Sequence, residues 1–167
     1  GKPENMQLWA IESSLLLKLH EEHCHGVELK DPTGTMSSKR TGDAYVDDKD
    51  TYASAPETNT IEEGVENIQK NAQYWAILIT LVGQAFAFHK CFWQGLCWMA
   101  LGGYYVIKTR DKFADLEVWI QDHRGKATKI EYRHHDKPND GLGLRLCPTA
   151  NQKPEYEKRL EQTRTLT

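Results

Sequence analysis

The chain has 167 residues, 24 acidic and 21 basic side chains and a formal net charge of −3. This is about one domain of polypeptide, enough for a real core, and it carries no global basic field, so any grip on nucleic acid must come from a local groove or from further polypeptide. Cys24, Cys91, Cys97 and Cys147 form no CxxC pair and read as reduced thiols. No apolar run approaches the roughly 20 residues that span a bilayer. The expectation is an intracellular protein, in cytoplasm or nucleus, with no membrane partner. Gly1-Lys2-Pro3-Glu4 resembles neither a signal peptide nor a natural translation start, so the sequence reads as cut from something longer.

From Met6 to about Glu22, Leu8, Ile11, Leu15 and Leu19 keep helical spacing, widened by Trp9 and Leu16, which predicts a buried helix. Val27-Glu28-Leu29, the turn-rich Asp31-Pro32-Thr33-Gly34 and the run into Tyr45 predict strand, loop and strand. Ala44-Tyr45-Val46 favours a strand, Asp47-Asp48 a turn, and Thr51-Tyr52-Ala53 a return strand. Ser54 to Asn59 is a polar loop. Thr60 and Glu63 then stand in capping-box spacing before Ile61, Val65, Ile68, Ala72, Trp75, Ile79 and Val82, and Gly83 is a natural stop for that helix. Ala85 to Trp93 places Phe86, Phe88 and Phe92 at period two, which predicts a strand with Lys90 on the phenylalanine side. Tyr104 to Lys108, Leu116 to Ile120 and Thr128 to Tyr132 are further predicted strands. Arg133 to Gly141 reads as polar and exposed, Gly143 to Cys147 as a short strand, and Glu155 to Thr163 as a charged helix with Pro154 in its first turn.

The chemistry concentrates in Tyr45-Val46-Asp47-Asp48. Phosphoryl transfer to a primer end uses two divalent ions, one activating the attacking hydroxyl and one neutralising the leaving pyrophosphate. Magnesium is a hard ion held by one or two carboxylates plus substrate phosphates. Neighbouring residues of a regular strand face opposite ways, so two consecutive aspartates reach one ion pair only where the strand bends, as at a hairpin tip. The competing reading is a solvated acidic turn, Asp47-Asp48-Lys49-Asp50.

The order of a helix, the Asp43-Ala44-Tyr45-Val46-Asp47-Asp48 hairpin, a helix with Gln73-Tyr74-Trp75, then Phe88-His89-Lys90-Cys91-Phe92-Trp93 and Leu142-Gly143-Leu144-Arg145-Leu146 resembles retrotransposon reverse transcriptases, as found in mobile elements of algae and other microbial eukaryotes. The likeness spans nearly the whole chain in order. It implies an RNA-directed DNA polymerase, a nucleotidyltransferase that uses Mg2+ or Mn2+. Its partners would be an RNA or DNA template, a DNA primer, deoxynucleoside triphosphates, and the upstream fingers and palm of a parent polyprotein. It also implies roles: Asp47 and Asp48 as catalytic metal ligands, Tyr45 and Val46 lining the nucleotide side of the hairpin, Lys90 orienting the triphosphate or protonating pyrophosphate, and Leu142-Gly143 gripping the primer. For Lys90 an exposed strand lysine, and for Gly143 an ordinary strand glycine, stand as equal readings. In the family a third metal-binding aspartate lies on an earlier strand, before this chain starts, and a Ser-Pro pair has no counterpart in Gly1-Lys2-Pro3-Glu4-Asn5-Met6. The chain alone is therefore expected to be inactive. A relic without catalysis and a non-enzymatic nucleic-acid-binding module remain the alternatives. Asp43, four residues before Asp47 and about 13 Å away along an extended strand, cannot share the metal pair without a sharp bend.

The expected fold is α+β: an antiparallel palm-like sheet, ferredoxin-like, with the carboxylate hairpin at its centre and helices packed on one face, plus a strand-rich C-terminal segment. The expected organisation is residues 1–100 as partial palm, 101–150 as a strand-rich extension with a primer-grip-like segment, and 151–167 as the start of a thumb-like helix or tail. Two further candidates compete. His20, His23 and Cys24, at helical spacing, offer three zinc donors without an evident fourth, and His134-His135-Asp136 is a weaker set in a polar loop. Trp93, Trp98, Tyr104 and Tyr105 read either as core or as base-stacking aromatics.

Overall fold

A computed structural model describes residues 3–45, 48–54, 60–107, 113–141, 144–146 and 152–165. Among these residues the fold is α+β, with three α-helices and short, mostly antiparallel strand pairs. It divides into two compact units: 1–91 with 116–130, and 92–115 with 131–167.

In the first unit α1 (Pro3–His23) leads into β1 (Val27–Lys30), which pairs antiparallel with β2 (Ser37–Arg40). Asp31 shapes the connection by accepting the Met36 amide at 2.8 Å. After Thr41 the chain enters β3 (Gly42–Tyr45), which pairs with β4 (Asp48–Thr51) in the register Gly42↔Thr51 to Tyr45↔Asp48. The expected carboxylate hairpin thus forms, with its return strand at Asp48–Thr51 rather than from Thr51, but among the described residues it does not lie at the centre of a larger sheet: β1–β2 and β3–β4 are separate two-stranded ladders. Thr41 links them. It turns inward between β2 and β3 and is buried, and its hydroxyl is spent on His20 Nδ1 at 3.0 Å. Gly42 is required by close approach, because any Cβ there would collide with the Asp50 carbonyl of the facing strand.

Helix α2 (Ile61–Leu81) has the expected capping box: the Glu63 amide donates to Thr60 Oγ1 at 3.3 Å and the Thr60 amide to Glu63 Oε2 at 3.1 Å. It ends as expected, with Gly83 at φ +77° and the Gln84 amide returning to Ile79 O at 3.0 Å. Its buried face holds Val65, Asn67, Asn71, Trp75, Ala76, Leu78 and Ile79, so two asparagines interrupt the apolar stripe, while Val82 is exposed. In α1 the stripe is rotated from the expected one. Leu16 and His20 are buried, but Ile11 and Leu15 are 69% and 58% exposed, since Leu16 and Leu19 are the residues that meet Trp75, Leu78 and Ile79. The antiparallel pair β8 (Val118–Gln121) and the first part of β9 (Ala127–Tyr132) completes this unit. Val118, Ile120 and Ile130 are buried. Gln69 and Gln73 of α2 cap the open edge of β8, accepting the Trp119 and Gln121 amides at 2.9 and 2.7 Å, which blunts an edge that would otherwise pair with another chain.

Of the strand predicted over Ala85 to Trp93 only Phe92–Trp93 forms; Phe88–Lys90 before it is a 3-10 turn. Phe86 and Phe88 pack edge to face, centroids 4.9 Å apart, so the period-two aromatics serve each other within one turn rather than a sheet.

In the second unit β5 (Phe92–Trp93) runs parallel to the end of β9, Phe92↔Glu131 and Trp93↔Tyr132. β6 (Trp98–Leu101) and β7 (Tyr104–Ile107) form a hairpin across Gly102-Gly103. Both glycines have positive φ, 58° and 83°, the conformation that two-residue hairpins demand. β10 (Asn139–Gly141) pairs with β11 (Leu144–Leu146), so the stretch expected to be wholly polar and exposed contains a strand, and His135 within it is buried. Helix α3 (Lys153–Thr165) is charged, as expected.

Candidate functional site

The β3–β4 hairpin carries the strongest sequence signal. Tyr45 closes β3 and Asp48 opens β4 as its register partner. Val46 and Asp47 lie outside the described residues, as do the side chains of Tyr45 and Asp48. Asp43 and Asp50 face each other across the ladder, and Asp43 accepts a hydrogen bond from the Tyr52 hydroxyl at 3.1 Å. Burial first, then those acidic neighbours, push the Tyr52 phenol up to about 12. The segment from Asp43 to Asp50 holds four aspartates and one cation, Lys49.

Lys49 does not stay with the acids. Its side chain turns to the helices, and Nζ sits 3.3 Å above the centroid of the Trp75 ring. It is withdrawn from solvent, with no hydrogen-bond partner among the described residues. Burial lowers its pKa to about 7, against a smaller opposing effect of Cys24. A π face stabilises an ammonium, but a buried charge without hydrogen bonds costs more than such a contact returns. Lys49→Met keeps the stem and sets a thioether on the ring. It is expected to raise the unfolding free energy by about 1–2 kcal/mol, read by urea denaturation at neutral pH; an unchanged or lower stability contradicts the assignment.

Beneath the hairpin lies a buried polar network. His20 has no exposed surface. Its Nε2 donates to the Asn71 carbonyl at 3.1 Å, which fixes Nδ1 as the acceptor of the Thr41 hydroxyl at 3.0 Å in the neutral ring. Burial, then the charge of Lys49, hold its pKa down at about 4. Asn71 joins three segments: its amide nitrogen donates to the carbonyls of His25 and Tyr52, at 2.5 and 3.0 Å, and its oxygen accepts the His25 amide at 3.1 Å. One side chain of α2 thereby anchors both the exit of α1 and the exit of β4.

This network removes the first zinc candidate. Both nitrogens of His20 are occupied within the core and His23 is exposed. Among the described residues the convergent set is instead His134, His135 and Asp136, in the second unit.

The other expected site residues are placed as follows. Lys90 is exposed in the 3-10 turn rather than on a strand, and among the described residues no hydrogen bond or ion pair links it to the hairpin. Leu142 and Gly143 lie outside the described residues. Trp93 is buried against Phe113 and Tyr132, with centroids at 6.1 and 4.8 Å, and is core rather than a stacking platform. Trp98 and Tyr104 are exposed. Lys49, Asn71 and Thr41 were not singled out by sequence. The available signal for Lys49 was strand alternation, which sets it on the face opposite Asp50.

No helix among the described residues is long and apolar enough to cross a membrane. Comparison of the chain with protein-family models, with curated proteins and with solved structures gave no match.

Proposed function

We propose that this chain is the YVDD-bearing part of a polymerase palm, from an RNA-directed DNA polymerase of retrotransposon type. The observation that carries the reading is the β3–β4 register, which pairs Tyr45 with Asp48; paired aspartates beside a strand bend are what such chemistry needs. Two features support it. Among the described residues each strand of the hairpin has one ladder partner, and an edge left so could receive a strand bearing a third aspartate. The donor set from Asp43 to Asp50 is all carboxylate oxygen, and the one cation among them is turned away onto Trp75; this suits a hard ion such as Mg2+ or Mn2+.

Asp47 and Asp48 would hold the ions, which when bound lower the barrier by activating the primer hydroxyl and neutralising the pyrophosphate charge. The contribution of the chain's own residues is positional. Asn71 ties the end of β4 to α2, and Lys49 on Trp75 ties its start, so the hairpin is held at both ends of the return strand. Tyr45, Val46, Lys90 and Leu142-Gly143 belong to the same reading as nucleotide and primer contacts.

The test is to map Mn2+ on the 167-residue chain by paramagnetic broadening of amide resonances. Broadening centred on residues 45–49, and abolished by Asp47→Asn with Asp48→Asn, is expected. Broadening absent there while the hairpin stays folded would instead fit a relic that keeps the fold without the chemistry.

A further inference from the structure

The loop after β9 is built more firmly than a polar connection requires. The Lys137 amide donates to the His134 carbonyl at 2.9 Å, closing a β-turn over residues 134–137. Gln94 clamps that turn from the β5 side, its amide nitrogen donating to the carbonyls of His134 and Lys137 at 3.0 and 3.2 Å. The Arg133 amide donates to Trp93 O at 2.9 Å just before it. A turn held at three points is preorganised, so little conformational entropy remains to be lost on binding a ligand.

On this frame two imidazoles and a carboxylate converge. The rings of His134 and His135 lie with centroids 4.0 Å apart and planes at 31°. Asp136 Oδ2 is 3.5 Å from His134 Nδ1 and 3.8 Å from His135 Nε2, and the ligand atoms of all three residues lie within 4.8 Å of one another. Nitrogen and oxygen ligands of a tetrahedral zinc ion, each about 2.1 Å from the metal, stand about 3.4 Å apart. Both Asp136 separations are within a few tenths of an ångström of that edge. His135 is 5% exposed, so one donor sits in the low-dielectric interior while Asp136 stands at the surface, the arrangement of a site open to an entering ion.

We propose that His134, His135 and Asp136 form a binding site for a divalent ion of the zinc class. Two imidazoles with one carboxylate select a borderline metal over magnesium or calcium, so the site is chemically distinct from the aspartates of the hairpin. Three protein ligands leave the fourth position to water or to an incoming donor. Binding displaces the hydrogen bond that the Asp136 amide gives His134 Nδ1 at 3.2 Å, and at this exposed residue water takes up the released amide. The site does not depend on the polymerase reading.

The test is titration of the full chain with Zn2+ by calorimetry, and with Co2+ by visible absorption. One tight equivalent is expected, apart from weaker binding at the hairpin carboxylates, with the absorption of a four-coordinate nitrogen and oxygen site. His134→Gln and Asp136→Asn, both at accessible positions and checked for folding by circular dichroism, are each expected to weaken Zn2+ binding at least about tenfold. Asp47→Asn and Cys24→Ser are expected to leave it unchanged. The proposal is overturned if no ion binds, if the two loop variants bind as well as the parent, or if Co2+ shows thiolate charge transfer that Cys24→Ser removes. In any of these cases the three residues are not the ion's site.

Discussion

Trp75→Ala is expected to lower the unfolding free energy by about 4 kcal/mol, the middle of the range for emptying a buried aromatic site. Trp75 is 7% exposed, packs with Leu16, Leu78 and Ile79, meets the His20 ring edge-on with centroids 5.7 Å apart and lies under the Lys49 ammonium. Alanine would open a cavity and leave a buried charge with nothing beneath it. Trp75→Phe keeps a π face and part of the volume, so its loss is expected to stay near 1–2 kcal/mol. Urea midpoints with unchanged slopes give both numbers. A loss below about 1 kcal/mol for alanine would mean the core does not centre on this residue.

The second large effect is acid sensitivity. The pKa of His20 is lowered in the folded chain from 6.5 to about 4, first by burial, then by Lys49, with Lys39 adding a little and the Asn71 carbonyl opposing. The unfolded chain therefore takes up the proton first. The stability that depends on neutral His20 is complete above pH 6.5 and is lost as pH falls towards 4, by at most about 3 kcal/mol at 1.4 kcal/mol per pH unit. Asp31 does not confuse this window. Hydrogen bonds, chiefly from the Thr33 hydroxyl and the Met36 amide, lower its pKa to about 2, so its contribution disappears only below its ordinary range. Stability measured between pH 7 and 4 is expected to fall steeply in the parent chain and to flatten in His20→Gln; equal slopes would place the titrating group elsewhere.

Legibility in the sequence followed locality. The capping box of α2, its stop at Gly83 and the hairpin around Tyr45 and Asp48 are set by residues a few positions apart; the first two formed as expected, and the hairpin formed with its return strand at Asp48–Thr51 rather than from Thr51 onward. The Gly102-Gly103 hairpin is equally local, but only its second strand, from Tyr104, was expected. What could not be read were contacts across sequence. His20 has the spacing of a metal ligand, yet its partners are Thr41 and Asn71. Lys49 sits in an acidic run that reads as solvated, yet a helix 26 positions on supplies an aromatic face. Asn71 breaks a stripe that looks apolar, because the exits of α1 and β4 need a polar anchor at that point. The hairpin was legible, but not that among the described residues it would stand as its own two-stranded ladder, since which strands pair is decided by contacts across sequence.

The central claim is that Asp47 and Asp48 carry metal-dependent nucleotidyl transfer. It is tested most directly by templated primer extension with a polypeptide that carries this chain behind a palm strand bearing its own aspartate, compared with the same polypeptide containing Asp47→Asn. The expected result is extension in Mg2+ or Mn2+ that falls on the order of a thousandfold or more in the variant, with primer-template binding kept within about twofold and no extension by the 167-residue chain alone. Extension unchanged by Asp47→Asn, or carried out by the isolated chain, would contradict it.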